Sequence, residues 1–516
     1  MRKVKGLWKL LFGRTTLLAV FLLLQVAMLA GGFALLDKYV FVFNYVLGFV
    51  SLLVLLYILN ARQNSSFKLT WLMLIIFLPV FGISFYLFTR VQPGTRFISR
   101  RIDQLLDQQE PYLAQDQEVL RQLEKQSSQQ VGLVRYIHDY GKYPTYVNTQ
   151  VKYFPLGEDK FREMVRQLEQ AKEFIFMEYF IVDKGFMWDT VLEILTQKVR
   201  EGVEVRFMYD GTCSLTLLPP NYPQKLQQRG IKCKVFSRIL PFLSTHQNNR
   251  DHRKVLVIDG HTAFTGGVNL ADEYINEIER FGHWKDTAVM VKGEAVRSFT
   301  LMFLQMWDIH ESEPTPIDQY IRYEFPLQEP GLSSEGYVTP YGDSPLDRES
   351  VGERVYMDIL YSARNYVHIM TPYLILDEEM VESMIYAVKR GVEVKIIMPH
   401  IPDKLYAYLL ARTYYPELIQ AGVRIYEYTP GFVHAKVFTS DDKKAVVGTI
   451  NLDFRSLYLH FEDAVYMYDN PEIQVIEADF QETLEKCREI TMENCRDYNV
   501  FKKILGRLLR LIAPLM

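Results

Sequence analysis

Cysteine is scarce: the 516-residue chain has four, Cys213, Cys233, Cys487 and Cys495. No two stand as Cys-x-x-Cys and no histidine lies at a zinc-like interval from them, so neither a disulfide framework nor a structural zinc site is expected. They read as free thiols or small buried apolar residues. An excess of positive charge is also missing. With 58 Lys and Arg against 62 Asp and Glu, the formal net charge is −4, which argues against a protein whose surface as a whole binds nucleic-acid phosphates. No acidic cluster suggests a metal, and no cofactor is expected. Apolar residues are plentiful at 49%, enough to bury the cores of two ordinary domains and an appendage.

Charge is absent altogether from three stretches, Thr16–Leu36, Tyr39–Leu59 and Leu69–Phe88. Each is about as long as the roughly 20 residues a helix needs to cross a bilayer, and at least two are expected to span. Arg2, Lys3, Lys5, Lys9 and Arg14 precede the first and favour a cytoplasmic N-terminus. No small-residue cleavage site follows it, so it is not read as a removable signal. Three crossings would carry the rest of the chain outside, yet Arg90, Arg96, Arg100 and Arg101 after the third stretch prefer the inside. With Pro79 and Gly82 in its middle, Leu69–Phe88 is the one expected to be kinked or re-entrant.

Residues 1–100 therefore read as a transmembrane region of two to three helices, and 101–135 as a polar helical connector. Beyond it, apolar runs suited to buried strands alternate with helical patterns, the mark of an α/β protein. Phe174–Phe180, Val203–Tyr209 and Val255–Ile258 read as strands, and Thr190–Arg200 as a helix. The order then recurs. Ala171–Phe180 is echoed by Ala363–Tyr373, Arg200–Met208 by Arg390–Met398, and Arg229-Gly-Ile-Lys by Ala421-Gly-Val-Arg. Two homologous lobes follow, 136–320 and 321–499, with a linker rich in Pro and charge near Glu311–Leu332 and a basic amphipathic tail at 500–516.

One further motif recurs position for position. The first lobe has His252-Arg-Lys254, then Asp259 and Gly266-Gly267-Val-Asn269; the second has His434-Ala-Lys436, then Asp441 and Gly448-Thr449-Ile-Asn451. On a strand, residues two apart share a face, so imidazole and ammonium can address one anionic ligand together. A neutral imidazole can attack phosphorus, and a protonated one can donate to a leaving oxygen. Lys254, Lys436, the amides of Asn269 and Asn451, and backbone donors of the turns at Gly267 and Thr449 are candidates to hold charged phosphate oxygens. Each imidazole also needs a partner to fix its tautomer, and each lobe offers one downstream: Asp286 in the first and Glu462 in the second. Asp259 and Asp441 close the motifs at strand ends and are counted with the catalytic set, serving the turn being the alternative. Two identical copies in a repeat outweigh the chance reading that a solitary His-x-Lys pair would deserve.

This doubled His-x-Lys-x4-Asp-x6-Gly-[Gly/Ser/Thr]-x-Asn motif is the signature of the phospholipase D superfamily. The residues around it resemble bacterial cardiolipin synthases: Asn249–Lys254, Phe264–Asn269, Trp284–Thr287, Thr371-Pro-Tyr373, Asn451–Ser456, and the membrane run with Trp71, Pro79, Gly82 and Tyr86. The likeness extends from Lys68 to the end of the chain. The sequence departs from it at His460, where the family usually carries Asn, and in the extra apolar run Thr16–Leu36.

The resemblance implies an α/β fold of two phospholipase D-type lobes, mixed β-sheets flanked by helices, preceded by N-terminal transmembrane helices in a bacterial plasma membrane. It implies a phosphatidyltransferase that makes cardiolipin from two molecules of phosphatidylglycerol. His252 would attack the first to form a phosphatidyl-histidine, and His434 would protonate the released glycerol and then activate the second lipid's hydroxyl. Phosphatidylglycerol, cardiolipin and the bilayer are the expected partners; nucleic acid is not. The alternatives are a phospholipase D that hydrolyses the intermediate and a transferase with another alcohol acceptor. A non-catalytic membrane scaffold is disfavoured, since none of the eight His, Lys, Asp and Asn positions is lost. Two further features fit a lipid substrate, the apolar loop Ser237–Leu243 and the tail Val500–Met516, whose alternative is a helix packed on the lobes.

Overall fold

The computed structural model describes residues 20–23, 25, 37–90, 93–238, 248–325 and 329–515. They fall into two compact units, and the catalytic motifs lie in the second, 98–238 with 249–507. The run Thr16–Leu36 lies almost wholly outside the described residues, as does most of the loop Ser237–Leu243.

In the first unit, a 24-residue helix Asp37–Asn60 is followed by Ser65–Phe77 and Pro79–Arg90. The apolar stretch Leu69–Phe88 is therefore not one straight rod. It breaks at Leu78, ahead of Pro79, whose ring cannot continue a helix interior. The two short helices return against each other so closely that a Cβ at Gly82 would lie 2.9 Å from the Ile75 Cα. Trp71, Ile75, Ile83 and Tyr86 fill the contact with Ile58. Among residues whose side chains are described, no helix is long and apolar enough to cross a membrane.

In the second unit, β2 (Phe174–Tyr179) is buried at every position and reads Phe-Ile-Phe-Met-Glu-Tyr, a strand covered on both faces. Its sheet also contains β1 (Thr149–Phe154), β3 (Glu204–Asp210), β4 (Lys232–Phe236), β5 (Lys254–Ile258), β6 (Thr262–Gly266) and, beyond the short β7 (His283–Lys285), β8 (Ala288–Gly293). The order is β1-β8-β6-β5-β2-β3-β4, parallel from β2 to β4 and antiparallel elsewhere. The second sheet repeats the plan with β9 (Tyr337–Asp343), β10 (Tyr366–Met370), β11 (Glu393–Pro399), β12 (Arg424–Tyr428), β14 (Val437–Ser440), β15 (Lys444–Gly448) and β16 (Glu462–Tyr468). Between β12 and β14 lies the short β13 (Gly431–Val433), and β17 (Cys487–Ile490) adds an edge strand beside β12. The order β17-β12-β11-β10-β14-β15-β16-β9 matches the first sheet strand for strand apart from that edge.

Helices such as Gly157–Glu169, Phe186–Arg200 and Glu378–Lys389 cover the sheets, giving the α/β fold of mixed sheets flanked by helices. The helix Val296–Asp308 is buried nearly all round because it contacts strands of both sheets. The stretch expected to be a polar connector does more than connect. Leu113, Val119, Leu120 and Leu123 insert into the same core as the second sheet, so its Gln- and Glu-rich composition marks only the outer face of amphipathic helices.

Candidate active site

Two short parallel pairings join the motifs of the lobes. β7 and β13 align His283 with Gly431, Trp284 with Phe432 and Lys285 with Val433; a lone parallel bridge joins Asp251 to Phe461. Each ends one residue before a histidine on one chain segment and a carboxylate on the other. The His434 N–H donates to the Lys285 carbonyl at 2.7 Å, and the His252 N–H to the Phe461 carbonyl at 2.9 Å.

As a result the orienting carboxylates cross between lobes. Glu462 Oε2 lies 2.8 Å from His252 Nδ1, and Asp286 Oδ2 lies 2.6 Å from His434 Nδ1. A carboxylate can only accept, so the pairing calls for the proton on Nδ1 of each ring and leaves Nε2 its lone pair; at His434 the shorter contact to Asp286 competes with Lys436 Nζ, 2.9 Å from the same nitrogen. The expectation of one carboxylate per lobe for that lobe's own histidine is corrected. The reason is topological: Asp286 directly follows β7, whose partner across the lobe boundary is β13, and Glu462 directly follows Phe461, which bridges Asp251 of the other lobe.

Burial sets the charges. It pushes His252 well below the usual imidazole range and His434 down to about 4, with the neighbouring ammonium groups adding to it. Both are neutral at pH 7. Burial alone would raise Glu462, but its interactions with the His252 ring and then with His460 hold its carboxyl below the ordinary range. Lys254 is lowered to about 8 and Lys436 to about 7, again by burial first. The Lys254 charge also acts on His434 and Lys436. The half-sites therefore make one electrostatic centre. Each ammonium donates back to the carbonyl of its own histidine, Lys254 to His252 at 2.6 Å and Lys436 to His434.

The turn residues behave differently from expectation. The N–H groups of Gly267 and Thr449 are spent on the Thr287 and Asp463 carbonyls, both at 2.9 Å, so neither is a free donor for phosphate. Instead they shape the carboxylates. A Cβ at Gly267 would lie 1.9 Å from Asp286 Oδ1, so only glycine admits that side chain. At the equivalent place Thr449 Oγ1 donates to Glu462 Oε2 at 2.5 Å. Asn269 accepts from the Ile181 N–H at 3.0 Å, and its buried amide nitrogen is turned toward the Tyr274 hydroxyl. Asn451 Nδ2 donates to Ser456 Oγ at 3.1 Å. A half-turn of that amide lets the serine hydroxyl donate instead and frees the nitrogen.

Asp259 and Asp441 do not join the histidines. The seven-residue step from His252 to Asp259 follows an extended strand, roughly 20 Å at the usual rise. Asp259 accepts the N–H groups of Lys172, Glu173 and Phe174 at 2.8, 2.7 and 2.8 Å, and Asp441 those of Arg364, Asn365 and Tyr366 at 2.8, 2.8 and 3.0 Å. Counting them as catalytic is corrected: their carboxylates are filled by backbone amides at the far end of each motif.

Several neighbours went unrecognised in the sequence. Phe180 packs on His252 and Tyr274 on His434, ring centroids 4.8 and 5.4 Å apart. Asp463 accepts from Thr265 Oγ1 at 2.5 Å, and burial pushes its carboxyl up to about 7. Phe180 ends the first repeated segment, which was the available signal; Tyr274 and Asp463 have no counterpart in the repeat.

A family model described as "Cardiolipin synthase, PLD-like domain" matches residues 164–307 and 356–484, and one described as "Phospholipase D-nuclease N-terminal" matches 49–90. Proteins named cardiolipin synthase from Alkalihalophilus pseudofirmus and Halalkalibacterium halodurans are 33% and 34% identical to the chain, covering 88% of it and 90% of each relative. An uncharacterized protein of Streptococcus mutans is 52% identical over 89% of the chain and 99% of that protein. The crystal structure of phosphatidylserine synthase from Haemophilus influenzae superposes with a TM-score of 0.53 at 13% identity, over 74% of this chain and 98% of that one, a likeness of fold.

Proposed function

The chain belongs to the cardiolipin synthase family of phospholipase D-like phosphatidyltransferases, and from that premise we propose that it joins two phosphatidylglycerol molecules into cardiolipin with release of glycerol. The observation that carries the reading is the crossed pair of His-carboxylate couples, His252 with Glu462 and His434 with Asp286, in one cationic centre. We assign the two transferring lobes to residues 136–320 and 321–499.

His252 Nε2 attacks phosphorus of the first lipid, the bond to the glycerol oxygen breaks, and His434 delivers a proton to that oxygen. Resting His434 is neutral, so it takes up a proton from solvent as the lipid's anionic phosphate binds, the negative charge offsetting the burial that pushes the imidazole down. His434, neutral again, takes the proton of a hydroxyl on the second lipid. That oxygen attacks the phosphatidyl-histidine, the P–N bond breaks, and His252 is restored. Lys254, Lys436 and the amides of Asn269 and Asn451 are the donors for the non-bridging oxygens. Glu462 and Asp286 fix the tautomers.

We read the enzyme as a multi-pass protein of the bacterial plasma membrane. The helix Asp37–Asn60 is 24 residues by its backbone, about 36 Å at the usual rise, against a hydrocarbon core of about 30 Å. Val42, Val46, Phe49, Leu53 and Leu56 on it are exposed.

Purified enzyme given phosphatidylglycerol alone tests the reaction. Equal yields of cardiolipin and free glycerol are expected, and phosphatidic acid as the main product would establish hydrolysis instead. His252→Ala is expected to abolish covalent labelling by radioactive lipid while His434→Ala traps it; the reverse pattern exchanges the two roles.

A further inference from the structure

His460 is 8% exposed, yet among the described residues neither ring nitrogen has a partner within 3.5 Å, and its Nδ1 stands 3.6 Å from Glu462 Oε1. The same place in the first lobe, two residues before the crossed carboxylate, holds Trp284. The two rings pack alike: His460 lies 5.5 Å from His252 and Trp284 lies 5.4 Å from His434, centroid to centroid. Packing alone asks only for an aromatic ring there. An imidazole whose Nδ1 stops 3.6 Å from a carboxylate oxygen, short of a full hydrogen bond, is the costlier choice, since buried polar atoms that are poorly paired are destabilising.

Its Nδ1 faces a ligand atom. His460 Nδ1 is 3.6 Å from Glu462 Oε1, Glu462 Oε2 is 2.8 Å from His252 Nδ1, and all three residues present a donor atom within 4.8 Å of the others. A tetrahedral ion with bonds of about 2.0–2.1 Å sets its ligand atoms roughly 3.3 Å apart, and the two separations, one to each oxygen of the Glu462 carboxylate, lie on either side of that value. We propose that His252, His460 and Glu462 form a site for a divalent ion of the zinc class, and that its occupancy switches the catalytic centre off. The inference rests on His252 acting as read above. Two imidazole nitrogens with one carboxylate oxygen suit Zn2+, Ni2+ or Cu2+ and not Mg2+ or Ca2+.

Inhibition follows from the atoms involved. The ion takes the His252 Nδ1 lone pair, so the ring's proton moves from Nδ1 to Nε2, and the nitrogen that attacks phosphorus is capped. Glu462 is turned from orienting the ring to holding the ion. The second half-site has no such state, because the Trp284 indole offers only an N–H donor.

Tag-free full-length protein, wild type and His460→Phe, is the material for the test, with His460→Asn as a second variant. Phenylalanine keeps the ring packing and asparagine is what the family usually carries. Co2+ titration, read by the visible absorption of four-coordinate cobalt, reports the site without any lipid; Zn2+ titration of phosphatidylglycerol turnover reports its consequence. The wild type is expected to show one cobalt band that both variants lose. The half-inhibiting Zn2+ concentration is expected to rise in the variants by at least the roughly 10–100-fold that loss of even a supporting partner costs a metal site. Absence of the band in the wild type, or equal Zn2+ inhibition in all three proteins, would overturn the proposal. A band that depends on His460 in a protein with no lipid turnover would support the ion site and sink the catalytic reading instead.

Discussion

The chemistry of each half-site depends on which nitrogen carries the proton, and that is decided by one carboxylate apiece. Replacing Glu462 by Gln leaves the shape but lets an amide N–H face His252 Nδ1, which favours the tautomer with a capped Nε2. Turnover is expected to fall roughly 10²–10⁴-fold, between the cost of losing an orienting partner and that of a wrong tautomer. Covalent labelling should fall with it. Gly267→Ala acts on the other couple by collision, since its Cβ would overlap Asp286 Oδ1 at 1.9 Å. A loss of roughly 10–100-fold in kcat is expected for displacing such a support, whereas a variant with wild-type kcat would mean that Asp286 does not hold His434. The lysines make a further prediction through pH. The histidines, His434 at about 4 and His252 also lowered, are already neutral on the acid side. The ammonium groups are lost as pH rises through about 7 for Lys436 and about 8 for Lys254. The profile of kcat/KM, which reports the free enzyme, is therefore expected to decline on the alkaline side from near neutrality. Lys436→Arg should move that decline to higher pH.

At the level of strands and turns, the motif aspartates separate structure from catalysis. Each carboxylate gathers three backbone N–H groups where the chain enters β2 or β10. Asp259→Ala is expected to cost about 1.5–3 kcal/mol of stability, the range for hydrogen bonds to a charged group, while kcat per folded molecule stays near wild type. Asp441→Ala should cost less, because Asp441 is only half-buried. Urea midpoints together with active-site titration check both, and a stable but inactive Asp259→Ala would restore that residue to the catalytic set. The strands themselves were legible: Phe174–Phe180, Val203–Tyr209 and Val255–Ile258 coincide with β2, β3 and β5 to within a residue or so. So was the repeat, because a strand pattern ending at a fixed motif survives in each copy. The crossing of Asp286 and Glu462 was not legible. Pairing of β7 with β13 is a contact between segments about 150 residues apart, and nothing in the local pattern of either lobe encodes it. The break at Leu78 was foreshadowed by Pro79, whereas the buried side of the Leu113–Leu123 stretch was masked by its polar composition.

For the molecule as a whole, the open question is how a catalytic centre this enclosed meets a lipid, and the C-terminal helix Val500–Ile512 offers one answer. Gly506 anchors it, 2.7 Å being the distance from a Cβ there to the Leu409 carbonyl, and Gly506 is its one buried residue among those described. Most of its apolar side chains are left outward: Phe501 is 82% exposed, and Val500, Ile504, Leu505, Leu508 and Leu511 are exposed as well, while Leu509 is half-buried. Lys502, Lys503, Arg507 and Arg510 run between them. A helix packed only against protein would not leave so wide an apolar surface in water, and cations beside it fit an anionic headgroup layer. A peptide of residues 499–516 is expected to become helical on vesicles containing phosphatidylglycerol and to stay largely unfolded on zwitterionic ones. Raising the salt to about 0.5 M should weaken that binding by screening, and Phe501→Ser with Leu508→Ser should abolish it through lost apolar burial. Binding that is indifferent to salt and to both substitutions would remove the interface role and leave the helix as packing for the lobe that holds Leu409.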